Sequence, residues 1–211
     1  VEGQLRELHD VLAERAELPV TLIGHSWGAW LSLMLAARHP DCVRKLVLVC
    51  SAPFKEEYSA EITRTRLQRL GDAGRSRANF LTEALKTASG KEKDQLLAQF
   101  GELIEKTDSK DPLPRAEGDR PELRGDIFHS VWEEARGMRR SGELLGLAAC
   151  VNCPVMALHG DYDPHPAAGV KDALSGVIKD FRFVLLKDCG HTPWRERSAA
   201  AQFYAVLEKE L

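Results

Sequence analysis

A serine lies between two glycines in the run Gly24-His25-Ser26-Trp27-Gly28, which has the form G-x-S-x-G. An apolar stretch precedes this run and another follows it, so we predict a strand, a sharp turn and a helix. The turn would place the serine hydroxyl at a helix start, where unpaired N–H groups favour developing negative charge. The serine is therefore a candidate nucleophile, and both glycines are expected because strand and helix approach too closely there for side chains.

A serine hydroxyl is a weak nucleophile unless a base takes its proton and a carboxylate orients that base. Two later segments supply these groups, each after a strand-like run: Asp161 and Asp163 follow one run, and His191 follows the next. Because the carboxyl ends of parallel strands meet at one edge of a sheet, these side chains are expected to converge with Ser26. We predict that Ser26, His191 and one of the two aspartates are catalytic.

The elements that must position these residues alternate along the chain. Short apolar, β-branched runs predict buried strands, and they lie within residues 19–24, 43–54, 153–160 and 181–190. Helical apolar spacing marks Leu5, Leu8, Val11 and Leu12 as one packed face, and it recurs in residues 29–40, 167–178 and 198–211. This alternation predicts an α/β fold with a parallel sheet and helices on both faces.

The alternation is interrupted from Phe54 to about Cys150. This stretch is highly charged and mostly helical in period, and residues 106–125 are rich in Pro, Gly and Asp. It is predicted to be a helical insertion between two parts of one core.

The motifs "GHSWGAW", "HGDYDPHP" and "GHTPW" resemble those of the α/β-hydrolase superfamily, and more narrowly its proline iminopeptidase-like and esterase members with a helical cap. The resemblance implies an α/β-hydrolase core of residues 1–53 and 151–211, with residues 54–150 as the cap. It also implies that the acid stands three residues after the strand-ending glycine, which selects Asp163. Asp161 is then expected to be a turn residue that bonds its own backbone.

Attack on a carbonyl produces an oxyanion, which the family holds with two backbone N–H groups. The resemblance assigns one of them to Trp27, the residue after the nucleophile. The second comes from a loop that, like the family's opening strands, has no counterpart in this sequence. The strand within residues 19–24 is thus expected at an exposed sheet edge, covered by a preceding segment of a longer parent protein or by a second copy of the chain.

The predicted substrate-binding residues are Trp27, at the acyl pocket, and Glu133. The run "VWEEA" resembles a cap segment that holds a free amine in iminopeptidases, and the alternative for Glu133 is a solvated helix face. Three other histidines have minor expected roles: His25 packs beneath the turn, His159 ends a strand, and His165 lies at the pocket rim.

A serine nucleophile excludes epoxide opening and halide displacement, which need a carboxylate at that position. The predicted activity is hydrolysis of a small-molecule ester, thioester or amide through an acyl-enzyme, with no metal or organic cofactor. The alternative is a ligand-binding protein of the same fold without catalysis.

Composition narrows the function classes further. The chain has 211 residues, 44% hydrophobic and 29% charged, with a net charge of −3 from 29 basic and 32 acidic residues. Without a concentrated basic face, nucleic acid is not an expected partner, and no apolar run approaches the roughly 20 residues that cross a membrane. The five cysteines, including the C-x-x-C pair Cys150 and Cys153, form an odd set. That number argues against a disulfide framework and predicts a cytoplasmic location.

Overall fold

The computed structural model describes residues 1–114 and 125–211, in which strands and helices alternate at both ends of the chain. The strands are β1 (Val20–His25), β2 (Val43–Val49), β3 (Val155–Gly160) and β4 (Phe181–Leu186). The helices are α1 (Glu2–Arg15), α2 (Trp27–Arg38), α3 (Ser59–Leu85), α4 (Gly90–Asp108), α5 (Gly125–Ser141), α6 (Glu143–Ala148), α7 (Ala168–Ser175) and α8 (Ala200–Leu207).

The four strands form one parallel sheet in the order β1-β2-β3-β4. Leu46 of β2 is in register with Val155 of β3, which is in register with Phe181 of β4. The carboxyl ends of all four strands consequently lie at one edge of the sheet. The predicted parallel α/β sheet is confirmed.

Helices cover both faces of the sheet because successive strand side chains point to opposite sides. Leu46 and Leu48 pack in the larger core cluster with residues of α1, α2, α6 and α7. Val47 and Val49 pack in the smaller cluster with Phe203 of α8. The prediction of helices on both faces is confirmed.

Helix α1 packs on the larger cluster through Leu5, which is buried, and through Leu8 and Leu12, which are partly buried. Val11 was expected on this face, but it is 45% exposed. At 100° per residue, position 11 lies about 120° from position 5 around the helix, beyond the other two leucines. Val11 therefore lies at the margin of the packed face.

In the part of the chain that the structure describes, β1 pairs with β2 alone and is an edge strand. Its Ile23 is 43% exposed, which is high for an isoleucine in a strand. The predicted edge position is confirmed, and the nature of what covers it stays a prediction.

The described residues between β2 and β3 are mostly helical, as predicted, and contain α3 to α6. Helix α3 is kinked at Gly71, whose φ is +64°. Helices α5 and α6 both reach the larger core cluster, in which Ala135 and Met138 of α5 and Leu144 and Ala148 of α6 are buried with α2 residues. The division of the chain into core and cap stays a prediction, and both α5 and α6 contribute side chains to the core.

The turn after β1 requires a glycine at position 24. A Cβ there would lie 2.3 Å from the carbonyl oxygen of Gly28 and 2.6 Å from Oγ of Ser32, so strand and helix meet backbone to backbone. The expectation for Gly28 was wrong, because a Cβ at that position meets nothing within 4 Å. Gly28 instead contributes its carbonyl oxygen, which is the atom that a Cβ at position 24 would meet.

Replacing Gly24 by alanine should destabilise the protein by roughly 1–3 kcal/mol, since the added methyl overpacks the turn. Gly28→Ala is the matched control, because it adds the same methyl within the same turn into open space. Urea unfolding of both variants measures the difference. Equal free energies of unfolding for the two would contradict the close approach at Gly24.

Candidate active site

Ser26 joins β1 to α2 and has an unusual backbone conformation, with φ 54° and ψ −117°. L-residues rarely adopt this region, so the turn stores strain. The conformation is held by hydrogen bonds on both sides: the Ser26 N–H donates to the carbonyl of Val49, 3.0 Å away, and the Ser26 carbonyl accepts from the N–H of Ala29, 3.1 Å away. The sharp strand-to-helix turn predicted around Ser26 is present.

The structure brings the three predicted catalytic side chains together. Oγ of Ser26 lies 3.0 Å from Nε2 of His191, and Nδ1 of His191 lies 2.7 Å from Oδ2 of Asp163. Asp161 does not take part, since it is exposed and its Oδ1 accepts from the N–H of Cys189 at 3.2 Å. That bond reaches the turn after β4, so the expectation that Asp161 bonds its own backbone was wrong.

These contacts fix the proton positions. An ionised carboxylate only accepts hydrogen bonds, so Nδ1 of His191 must carry the proton that it shares with Asp163. In the neutral ring Nε2 is then unprotonated and accepts from the hydroxyl of Ser26. The arrangement can remove a proton from the serine as its oxygen attacks.

The charges of the site stabilise one another. Burial alone would raise the pKa of the Asp163 carboxyl, but His191 and His165 hold that pKa well below its ordinary value. Burial alone would lower the pKa of His191, but the charge and the hydrogen bond of Asp163 outweigh burial and raise it. Asp163 is thus ionised, and it stabilises the protonated form of His191.

His25 links the turn after β1, which carries Ser26, to the turn after β4, which carries His191 and is called the histidine turn below. Its Nε2–H donates to the backbone carbonyl of His191 at 2.8 Å, and its ring centre lies 4.8 Å from that of His191 and 4.7 Å from that of Trp194. Burial, followed by repulsion from His191, lowers the pKa of His25 to about 4. His25 is therefore neutral and acts as a fixed donor, a role that its position beside Ser26 did not reveal.

The histidine turn is also bound to the chain that leaves α4. The N–H of His191 donates to the carbonyl of Asp108 at 2.7 Å. Glu196 is 1% exposed, and its carboxylate accepts from the N–H groups of Gly190 (3.2 Å), Lys110 (3.0 Å) and Asp111 (2.8 Å). The helical segment and the histidine turn thus form one hydrogen-bonded unit. Sequence reasoning missed Glu196, which stands among other charged residues.

Two arginines of α3 reach the same region. Arg66 makes a two-pronged ion pair with Asp108, with Nε–Oδ1 at 2.8 Å and Nη2–Oδ2 at 2.5 Å. Arg69 donates to the carbonyl of Thr107 at 2.7 Å, and its guanidinium lies 3.6 Å from the ring centre of Tyr162. Such stacking of a cation on a ring is attractive. Helix α3 is therefore held both to the end of α4 and to the turn after β3 that carries Tyr162 and Asp163.

Tryptophans lie beside the serine. Trp27 occupies the first position of α2, where a backbone N–H has no acceptor within its own helix, and its side chain donates to Gln4 at 3.0 Å. Its ring is edge-on to those of Trp30 and Trp132, at 6.2 and 6.4 Å. Trp132, which sequence reasoning missed, belongs to α5 and stacks on the buried Trp30 at 6.0 Å.

Glu133, the neighbour of Trp132, lies on an exposed helix face. Its Oε1 pairs with Nη1 of Arg136 at 3.1 Å, one turn further along α5. This is the placement that the alternative for Glu133 predicted. The structure does not place its carboxylate among the hydrogen-bonded groups of Ser26, His191 and Asp163.

Among the described residues, Cys50, Asp163 and His191 are the group with metal-ligand atoms close together, within 4.8 Å of one another. Burial, followed by the charge of Asp163, raises the pKa of the Cys50 thiol well above its ordinary value. The thiol is therefore protonated, while the other two side chains bond each other. This donor set fits proton transfer better than metal binding. All five cysteines are free.

Comparison with known proteins adds independent evidence. A sequence model of the Alpha/beta hydrolase family matches residues 2–206. The chain is 24% identical over 205 residues to the pimeloyl-[acyl-carrier protein] methyl ester esterase of Neisseria meningitidis serogroup C, and the match covers 95% of this chain and 72% of that protein. The serogroup A esterase is 24% identical over 204 residues, covering 95% of this chain and 59% of that relative. The chain thus spans between about three fifths and three quarters of these relatives.

A solved structure shows the same fold. The crystal structure of a proline iminopeptidase from Mycobacterium smegmatis aligns with a TM-score of 0.57 at 18% sequence identity, covering 98% of this chain and 69% of the other. Separately, no helix among the described residues has both the length and the apolar character needed to cross a membrane.

The strain at Ser26 predicts a stability difference between two variants that both lack the hydroxyl. Ser26→Gly should be more stable than Ser26→Ala by about 1 kcal/mol, because glycine adopts positive φ freely and this gain exceeds its entropic cost. Urea unfolding of the two variants gives the comparison. A more stable alanine variant would mean that the turn is not strained.

Proposed function

The chain belongs to the α/β-hydrolase family, and from this premise we propose that it is a serine hydrolase that cleaves small acyl esters through an acyl-enzyme. The observation that carries the proposal is the continuous series of hydrogen bonds from Ser26 through His191 to Asp163. Serine with a neutral imidazole on one side and a buried carboxylate behind is the arrangement that acyl transfer needs.

In the first half of the reaction, Oγ of Ser26 attacks the substrate carbonyl carbon while Nε2 of His191 takes the serine proton. Asp163 stabilises the imidazolium that forms. The carbonyl oxygen becomes an oxyanion, and the N–H of Trp27 at the start of α2 donates to it. One such donor contributes roughly 100- to 1,000-fold in rate.

In the second half, His191 passes its proton to the leaving alcohol, and the acyl group stays on Ser26. A water molecule then attacks the acyl carbon as His191 takes a proton from it, and the collapse of that intermediate returns this proton to the serine oxygen. The free acid leaves and the neutral imidazole is restored. Each proton moves through Nε2, so one histidine serves both halves.

Esters are favoured over amides as the substrate class for two reasons. The curated relatives are named as methyl ester esterases, which supports an ester with a small alcohol. Glu133, the candidate for binding a free amine, already has Arg136 as its partner on an exposed face, which weakens the aminopeptidase alternative. We further propose that α3 to α5 form the cap, with Trp27 and Trp132 lining the acyl pocket.

Labelling with a fluorophosphonate, which phosphonylates activated serines and releases fluoride, tests the proposal without a known substrate. We expect stoichiometric labelling at Ser26, none in Ser26→Ala, and a rate lower by roughly 1,000- to 10,000-fold in Asp163→Asn. Asp161→Asn is the matched control, since it makes the same change in the same turn and retains the Oδ1 acceptor for Cys189.

Absence of labelling in the folded wild-type chain would instead identify a ligand-binding protein of this fold. Equal rates for the variants at positions 161 and 163 would show that Asp163 is not the acid. A panel of methyl, p-nitrophenyl and thioester acyl substrates with aminoacyl arylamides then defines the leaving group. Cleavage of the arylamides alone would overturn the ester assignment.

The rate of labelling should fall at low pH, because His191 accepts a proton only when it is neutral. Its pKa is raised above the ordinary value of 6.5. The pH range in which labelling is lost on acidification, the acid limb of the pH profile, should therefore lie above pH 6.5. Asp163→Asn removes the raising charge, so its limb should move to lower pH. If a pH series of labelling rates gave the same acid limb for the wild type and Asp163→Asn, Asp163 would not be the group that raises the pKa of His191.

A further inference from the structure

Asp163 carries a second histidine on its other oxygen. The backbone N–H of His165 donates to Oδ1 of Asp163 at 2.9 Å, and Nδ1 of the same residue lies 2.6 Å from that oxygen. The His191 bond uses Oδ2, at 2.7 Å. Both oxygens of the carboxylate are therefore occupied, each by an imidazole.

The state of the His165 ring follows from its partners. Burial lowers the pKa of His165, which is thus neutral. Because Asp163 only accepts, the proton of the neutral ring is on Nδ1. The ring centre lies 4.5 Å from that of His191, so the two imidazoles lie side by side on one carboxylate. His191 also bonds Oγ of Ser26.

The backbone of His165 is held in place as well. Its carbonyl accepts from Nε2–H of His159 at 2.7 Å. Pro164 and Pro166 flank it, and the ring of a proline restricts both its own φ and the residue before it. The His165 donor is aimed at Asp163 by its surroundings and needs little ordering when the site reacts.

We propose that His165 is a positioning residue for the reaction: its Nδ1–H fixes the plane of the Asp163 carboxylate and draws charge toward Oδ1, which leaves Oδ2 as a correctly directed but weaker partner for His191. This inference rests on the proposed role of Asp163 and His191 in catalysis. Without the imidazole donor, only the backbone N–H of His165 remains on Oδ1. The carboxylate is then held less firmly in its plane, and more of its charge acts on the bond to His191.

The predicted consequence is a shift in the working pH range. A carboxylate that shares its charge stabilises protonated His191 less, so the imidazole stays neutral, and able to act as a base, at lower pH. Other titratable or charged groups lie around His191 and Asp163, and they stay constant in the test below. They are His25 at the end of β1, Cys50 after β2, His159 in β3, Cys189 after β4, Arg66 of α3 and Asp108 of α4.

Two substitutions separate the hydrogen bond from packing. His165→Phe fills the ring volume but lacks the donor, whereas His165→Asn gives up most of the ring but places an amide N–H where Nδ1 lies. We expect His165→Phe to lower the maximal rate constant of fluorophosphonate labelling by about 10- to 100-fold, the value of a hydrogen bond to a charged group. The concentration of reagent at half-maximal rate should be unchanged. The acid limb of the His165→Phe pH profile should move to higher pH by about half a unit or more.

His165→Asn should keep the wild-type rate constant and limb. His9→Asn, in α1, is the control for loss of a histidine outside the site. The inference is overturned if the phenylalanine variant keeps the wild-type rate constant and limb, or if the asparagine variant is impaired as severely as the phenylalanine variant. These results leave the proposed function intact as long as Ser26→Ala is unlabelled, whereas labelling of Ser26→Ala would refute that function itself.

A second measurement does not depend on folding of the phenylalanine variant. In the NMR spectrum of the wild-type chain with ¹⁵N-histidine, the His165 and His191 signals should each show a protonated Nδ1 bonded to a carboxylate. His165→Asn should remove the His165 signal. A spectrum in which the His165 proton resides on Nε2 would overturn the inference.

Discussion

The hydrogen bond between Asp163 and His191 is the interaction on which the site depends. It spans 2.7 Å between two turns that follow different strands, β3 and β4. It fixes the tautomer of His191, orients Nε2 toward Ser26 and, with the charge of Asp163, outweighs the effect of burial on the pKa of the ring. A buried carboxylate without partners would be costly, and here His165 and His191 together hold it ionised.

The remaining contacts hold the two turns at the right separation. His25 binds the His191 carbonyl from the serine side, and Asp108 binds its N–H from the helical segment. Glu196 joins the turn to the exit of α4 by accepting three backbone N–H groups. A shift of the helical segment therefore displaces the histidine turn, which couples the proposed cap to the base of the reaction. The strained backbone of Ser26 is held separately, by its hydrogen bonds with Val49 and Ala29.

Much of the fold and of the site could be predicted because their signals are local. The alternation of apolar runs gave the strands, and Ser26, Asp163 and His191 each follow a strand-like run within a short motif. Glu196, Trp132 and the pair of Arg66 with Asp108 could not be predicted, because their roles come from contacts between segments far apart in the chain. A buried glutamate that binds three N–H groups looks like a surface glutamate in sequence. The error at Gly28 has the same origin, since only coordinates show which of two glycines leaves no space for a side chain.

The crystal structure of the fluorophosphonate adduct would test the central claim most directly. The account predicts phosphorus bonded to Oγ of Ser26, the phosphoryl oxygen within hydrogen-bond distance of the N–H of Trp27, and His191 still paired with Asp163. Phosphorus on another residue, or His191 turned away from Asp163 with the carboxylate bound elsewhere, would contradict it.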